Sequence, residues 1–362
     1  MLRKKEAALL SNDATDFMKP IILGCEGLEL SIDETHLFAD HRPVGFILFQ
    51  RNCQSKAQVT ELCAALRDAV DAPDAPILID QEGGSVARLK SPEWPEYPAA
   101  GQFGKLAATD LETALEATKI NSRFMAEDLY EMGVTVNCNP VIDVPSEDCH
   151  GFLSDSRTFH DEPELVTKFG NAVCEGLLEG GVTPILKHIP GHGRATVDSH
   201  KSLPVIDASL ALLQETDFVP FKDLSATTYG NDIWAMAAHV VYTQIDAEQA
   251  ASVSEYVTEA IIRNYIGFNG VLLADDISME ALDGTLAERA VATLAAGMDL
   301  TMHCNGKFVE MVEILSAINT MREEAALRVK ASEKRRQSAR IAADMDALKS
   351  RLDGLMTHRD VA

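Results

Sequence analysis

No stretch of this sequence approaches the ~20 consecutive apolar residues that a membrane-spanning helix needs. The basic start, MLRKKEAALL, runs directly into Ser11, Asn12, Asp13 and Asp16 without an apolar segment of signal-peptide length. A cytoplasmic chain whose residues 1–19 form a leader is the expectation, and a membrane partner is not. Basic residues are also scarce. Against 56 Asp and Glu stand only 32 Lys and Arg, a formal net charge of −24. A phosphate backbone demands a basic footprint, so nucleic acid is excluded as a partner. An anionic membrane surface is excluded for the same reason, and the charge reads as solubility. The seven cysteines form no CxxC pair. Their odd, scattered set suits reduced thiols that behave as small buried hydrophobes. Neither a linker nor a short internal repeat divides the chain.

What is present is an alternation. Short apolar runs rich in β-formers end abruptly in polar or Gly-containing segments: Val44–Phe49, Ile77–Ile79, Val134–Asn137, Thr183–Leu186, Ala235–Ala238, Gly270–Ala274 and Leu300–Met302. Stretches of helical period separate them, among them Lys56–Ala69, Asp110–Met132, Glu164–Glu179 and Tyr256–Tyr265. Ile21–Cys25 supplies a candidate eighth strand. Strands alternating with helices imply a parallel sheet. Without a dinucleotide-type glycine fingerprint, a closed α/β barrel of the (β/α)8 TIM type is favoured over an open doubly wound sheet, with room for one irregular unit. The 362 residues suit one such barrel. The expected boundaries are residues 20–310 for the barrel and 311–362 for a charge-rich C-terminal helical extension packed on its exterior, its charges solvated.

Polar residues recur where barrel chemistry sits, at the C-terminal ends of the strands. Asp80 follows ILI, Asn139 and Asp143 follow VTVNC, Lys187 and His188 follow TPIL, His239 follows AMAA, Asp275 and Asp276 follow GVLLA, and His303 follows DLTM. The stretch Lys187–His200 is the richest. His188 and His192 stand four apart, but Pro190, Gly191 and Gly193 argue against a helix there, and no HExxH glutamate accompanies them, so a zinc pair is disfavoured. In Asp198-Ser199-His200 a carboxylate two residues before an imidazole can fix its tautomer and raise its basicity. His192 is assigned to the tight PGHG turn. Of the adjacent acids Asp275 and Asp276, one is expected to be catalytic and the other to cap the next segment with Ser278. Asp80, Arg157, Lys187-His188 and Asp275 come from different units and can converge on one pocket.

The segments GFILFQRNCQSKAQVTELCAAL, ILIDQEGGSVARL, GVTVNCNPVIDV, DSRTF, KHIPGHGRATVDSHKSLP, AMAAHVVYTQID, GFNGVLLADDISMEAL and AAGMDLTMHCN resemble, in order, glycoside hydrolase family 3. Within it they resemble the one-domain β-N-acetylglucosaminidases of the peptidoglycan-recycling type. KHxPGHG followed by DSH is the most specific of these motifs. The resemblance implies that Asp275 is the nucleophile and that His200 is the general acid/base, oriented by Asp198. It implies that Asp80 holds the distal hydroxyls of the terminal sugar, that Arg157, Lys187 and His188 grip the sugar and its N-acetyl side, and that Arg88 contributes to the pocket. Two positions depart from the pattern: Ser85 stands where an arginine is usual, and Ile189 where Phe is commoner.

A retaining glycosidase so built forms a glycosyl-aspartate and hydrolyses it, with no metal or organic cofactor. The implied substrate is a small carbohydrate, a β-linked N-acetylglucosaminide from recycled muropeptides. Imidazole suits the proton-transfer role because its unperturbed pKa is about 6.5. Three alternatives stay open at the level of sequence: a phosphorylase of the same family, a metal-dependent barrel hydrolase using Asp275, Asp276 and nearby histidines, and an inactive sugar-binding protein. The sequence does not set the oligomeric state.

Overall fold

The computed structural model describes residues 18–149, 153, 156–197 and 202–357. Eight parallel strands close into one barrel in chain order: β1 (Lys19–Gly24), β2 (Pro43–Leu48), β3 (Ile77–Ile79), β4 (Val136–Asn137), β5 (Thr183–Ile189), β6 (Trp234–Ala237), β7 (Val271–Asp276) and β8 (Leu300–His303). Closure is made where β1 meets β8, with Ile21 opposite Thr301 and Leu23 opposite His303. A strand sandwiched between helices and a packed interior is buried on both faces, which is why these segments read as continuous apolar runs rather than alternating ones. Ile21, Ile22 and Leu23 in β1 and Leu272, Leu273 and Ala274 in β7 have no exposed surface.

Each strand is followed by at least one helix, and local chemistry sets where these begin. Ser31 caps the helix Ile32–His41 in a reciprocal box with Glu34, and Thr285 does the same with Glu288 for Leu286–Ala295. Asp110 caps the long helix Leu111–Glu131, and Pro163 opens the helix Pro163–Glu179. The segment after β6, Val257–Ile266, is helical with π-type hydrogen bonding, and Gly267 ends it in the left-handed conformation. A separate two-stranded ladder joins Val205–Ile206 to Val241–Tyr242. No helix among the described residues is long and apolar enough to cross a membrane.

The C-terminal region departs from the expectation of solvated charges. The helix Phe308–Ala317 follows β8 as the eighth helix of the ring and spans the boundary placed after residue 310. The next helix, Glu323–Ala339, lies across the N-terminal mouth of the barrel. Arg328, Ser332, Arg335 and Arg336 recur at the helical spacing of one face. Arg328 donates to Asp299 (2.7 Å) and to the Asn269 carbonyl (3.1 Å), and Arg335 donates to Asp232 (3.0 Å). Arg336, itself buried, donates to the Gly181 carbonyl (2.9 Å), and Ser332 accepts from the Trp234 indole (2.9 Å). These partners lead into or begin β5 to β8, so one helix staples four strand entries. Ser332→Ala leaves the buried indole N–H of Trp234 without its acceptor. A loss of about 1–3 kcal/mol in stability is expected, read as a melting temperature lower by a few degrees. An unchanged melting temperature would remove Ser332 from the staple.

Candidate active site

At the opposite mouth lies a pocket of about 320 Å³. Asp80, Arg88, Arg157, Lys187, His188 and Asp275 all line it, together with Phe49, Arg51, Glu82, Asp276 and the methionines 236, 279 and 302. Six of the eight side chains singled out in the sequence therefore share one cavity. The other two, Asp198 and His200, lie outside the described residues.

Asp80 leaves the end of β3, and the next residue shapes the turn that follows. The buried Gln81 accepts the backbone N–H groups of Arg88 (2.9 Å) and Leu89 (3.1 Å) on its side-chain oxygen. This folds the loop back, so that the Arg88 guanidinium donates to Asp80 at 2.8 Å. Gly83 makes the fold-back feasible: its φ is +100°, and a Cβ there would stand 2.3 Å from the Pro98 carbonyl oxygen. Ser85, where the resemblance expects arginine, is exposed in this turn and does not line the pocket.

Lys187 and His188 sit within β5 rather than after it. Successive side chains of a regular strand face opposite ways, yet both of these reach the pocket. The register of β5 against β6 shifts between Lys187 and Ile189, which breaks the alternation at this point. Lys187 is buried between two carboxylates, 3.2 Å from Asp80 and 2.7 Å from Glu82. Glu82 in turn receives Arg157 on both oxygens, at 2.9 and 2.7 Å. The result is an alternating chain of charges across the pocket, Arg88–Asp80–Lys187–Glu82–Arg157, three cations to two anions.

Burial alone would raise the Asp80 carboxyl, but the Lys187 ammonium and the Arg88 guanidinium outweigh it and hold the group well below the usual carboxylate range. Glu82 is lowered by the same balance, burial being outweighed by Lys187 and Arg157. Burial would strip the proton from Lys187, yet Glu82 and Asp80 keep it charged, its pKa raised above the ordinary value. Asp80, Glu82 and Lys187 are thus ionised at neutral pH and, with the two guanidinium groups, form an electrostatic frame set before any ligand arrives.

On β7 the two adjacent acids divide. Both oxygens of Asp276 are engaged: one accepts Ser278 N–H (3.0 Å) and Cys304 N–H (3.3 Å), the other the Ser278 hydroxyl (2.6 Å). Asp275 accepts the N–H of Asp276 at 2.8 Å and lines the pocket. His239 and His303, expected among the strand-end polar groups, are fully buried and do not line it. His239 instead supports β7 from behind, with Nδ1 2.6 Å from the Ser252 hydroxyl and Nε2 3.1 Å from the Asp276 carbonyl. His192 is also buried, and desolvation with the neighbouring His188 pulls its pKa down to about 4. The turn around it is tight. A Cβ on Gly193 would stand 1.9 Å from the Val144 carbonyl oxygen.

Sequence reasoning missed three contributors. Glu82 was visible only as part of DQEGG, Asp143 only as a polar residue past β4, and Arg51 not at all. Phe49 has two guanidinium groups near its ring, with Arg51 and Arg88 each 5.0 Å from the ring centroid.

The profile of the glycosyl hydrolase family 3 N-terminal domain matches residues 1–339. A β-hexosaminidase of Xanthomonas campestris pv. campestris is 36% identical over 300 residues, 82% of this chain and 87% of that protein. One from Xylella fastidiosa is 35% identical over 308 residues, covering 84% of this chain and 89% of its own. Among solved structures, native NagZ from Neisseria gonorrhoeae superposes with a TM-score of 0.81 at 28% identity, over 93% of this chain and 98% of that one. The same protein in complex with N-trifluoroacetyl-D-glucosamine gives 0.82 at 30% identity, covering 93% and 97%.

Proposed function

This chain belongs to glycosyl hydrolase family 3, and from that premise we propose that it is a retaining β-N-acetylglucosaminidase that removes terminal β-linked N-acetylglucosamine from muropeptide-derived sugars. The observation that carries the reading is the convergence of Asp80, Arg88, Arg157, Lys187, His188 and Asp275 on one pocket at the C-terminal mouth of a closed barrel. A related structure that holds N-trifluoroacetyl-D-glucosamine supports an N-acylated amino sugar as the occupant.

In this reading the charged frame grips the sugar hydroxyls, Asp80 accepting and Arg88, Arg157 and Lys187 donating. Asp275 attacks the anomeric carbon as the glycosidic bond breaks, giving a glycosyl ester. His200, steadied by Asp198, protonates the leaving oxygen and then takes a proton from the water that cleaves the ester. Asp276, committed to Ser278 and Cys304, keeps the end of β7 in shape and leaves the attack to its neighbour.

The test is hydrolysis of p-nitrophenyl β-N-acetylglucosaminide against the β-glucoside and the β-N-acetylgalactosaminide, with and without phosphate and after exhaustive chelation. Release of free N-acetylglucosamine, unaffected by phosphate or chelator and well above the rate on the β-glucoside, is expected. Formation of a sugar phosphate would identify a phosphorylase instead, and loss of activity on chelation a metal-dependent hydrolase.

A further inference from the structure

Asp143 is fully buried and does not line the pocket, yet it holds the segment that does. One of its oxygens accepts the backbone N–H of His188 at 3.1 Å and that of His192 at 2.6 Å. The other stands 2.7 Å from His188 Nδ1. Burial would raise its pKa, but the interactions with His188 and the hydrogen bond from the His192 backbone outweigh burial and lower it, so the carboxylate stays ionised. An ionised carboxylate only accepts hydrogen bonds. The ring must therefore carry its hydrogen on Nδ1, and in the neutral imidazole Nε2 keeps a lone pair.

The neighbours give that lone pair a use. Arg88, Arg157 and Lys187 offer donors alone, and the carboxylates of Asp80 and Glu82 beside them are already shared among these cations. A substrate hydroxyl that accepts from one of them must still place its own O–H, and a further donor would leave it stranded. His188, adjacent in sequence to Lys187 and lining the same pocket, can supply an uncharged acceptor.

We propose that Asp143 is a positioning residue for glycoside cleavage: it locks His188 in the Nδ1–H tautomer, so that Nε2 meets a substrate hydroxyl as an acceptor. This rests on the reading of the pocket as the site of the terminal sugar. The Asp143–His188 pair acts on binding geometry, whereas the proton transfer to the leaving group is the role proposed for His200.

Asp143→Asn tests it with little change in shape. The remaining oxygen keeps both backbone N–H groups, while the new NH2 faces Nδ1 and forces the hydrogen to Nε2. A fall of about 10- to 100-fold in kcat/KM on p-nitrophenyl β-N-acetylglucosaminide is expected, because a polar mismatch is buried against substrate. The deciding comparison repeats the substitution in a His188→Ala background. If Asp143 works through His188, the additional loss there stays within about twofold. An equal loss in both backgrounds would assign Asp143 a merely structural role and overturn the proposal. A His188→Ala enzyme with undiminished kcat/KM would also overturn it, while Asp275→Asn reports separately on whether the chain is a retaining glycosidase. Nitrogen-15 NMR of the histidine-labelled wild-type enzyme, assigned by the signal missing in His188→Ala, reads the tautomer without Asp143→Asn having to fold. A hydrogen on Nε2 in place of Nδ1 would end the argument.

Discussion

Asp275→Asn is expected to lower kcat on p-nitrophenyl β-N-acetylglucosaminide by on the order of 10⁴-fold or more, with stability close to wild type. The amide has the shape of the carboxylate and retains an oxygen for the Asp276 N–H, which now lies 2.8 Å from Asp275. What it lacks is the negative charge and nucleophilicity that the proposed glycosyl ester requires. The neighbouring acid does not substitute for it, because both Asp276 oxygens are held by Ser278 and the Cys304 backbone. Activity within about tenfold of wild type would rule out Asp275 as nucleophile, since removal of a covalent partner is not so cheaply offset. Burst kinetics on a substrate with a good leaving group provide a second reading, as accumulation of the glycosyl-enzyme should vanish with the carboxylate.

Glu82→Gln is expected to cost both stability and substrate binding. The side chain is only 6% exposed and receives Arg157 on both oxygens and Lys187 on one. An amide in its place turns an NH2 toward a guanidinium or an ammonium and leaves three cations sharing Asp80. Breaking a buried pair by removing one partner costs about 3–5 kcal/mol, so a clear fall in denaturation midpoint at pH 7 is expected. KM should rise as well, because Arg157 and Lys187 lose the carboxylate that aims them.

The pH dependence has a definite sign. Glu82 is lowered in the folded state, so its contribution is complete above its unfolded value of about 4.3 and is lost as pH falls through the lowered folded value. The stability gap between wild type and Glu82→Gln should therefore be widest near neutrality and close on strong acidification. A gap that is absent at pH 7, or that widens toward acid, would show that Glu82 is not a working member of the charge chain.

Strand ends were the legible part of this molecule. Asp80, Lys187, His188 and Asp275 are each marked by an apolar run that stops at a polar residue, and the structure brings all four into one pocket. The exact ends were less visible. Lys187, His188 and Asp275 lie inside their strands rather than after them, because the ladder continues while the side chains turn polar. The C-terminal helix was legible as a helix but not as a staple. Its arginines look solvated in a charge-rich stretch, and only the strand entries at Gly181, Asp232 and Asp299 convert them into bound groups.

The sequence by itself determined the alternation of strand and helix and the residue types presented at the barrel mouth. These follow from signals within a few positions of each residue: period, caps and the ends of apolar runs. Tertiary structure decided which charges meet. Glu82 and Arg157 are 75 residues apart, and Asp80 and Lys187 are 107 apart. Those pairings exist because barrel closure and the register of β3, β4 and β5 bring the chain segments together, and no local pattern records a partner that distant. The division of Asp275 from Asp276 and the assignment of Asp143 to His188 have the same origin. Each depends on which neighbour occupies a hydrogen-bonding atom, and folding alone supplies the neighbour.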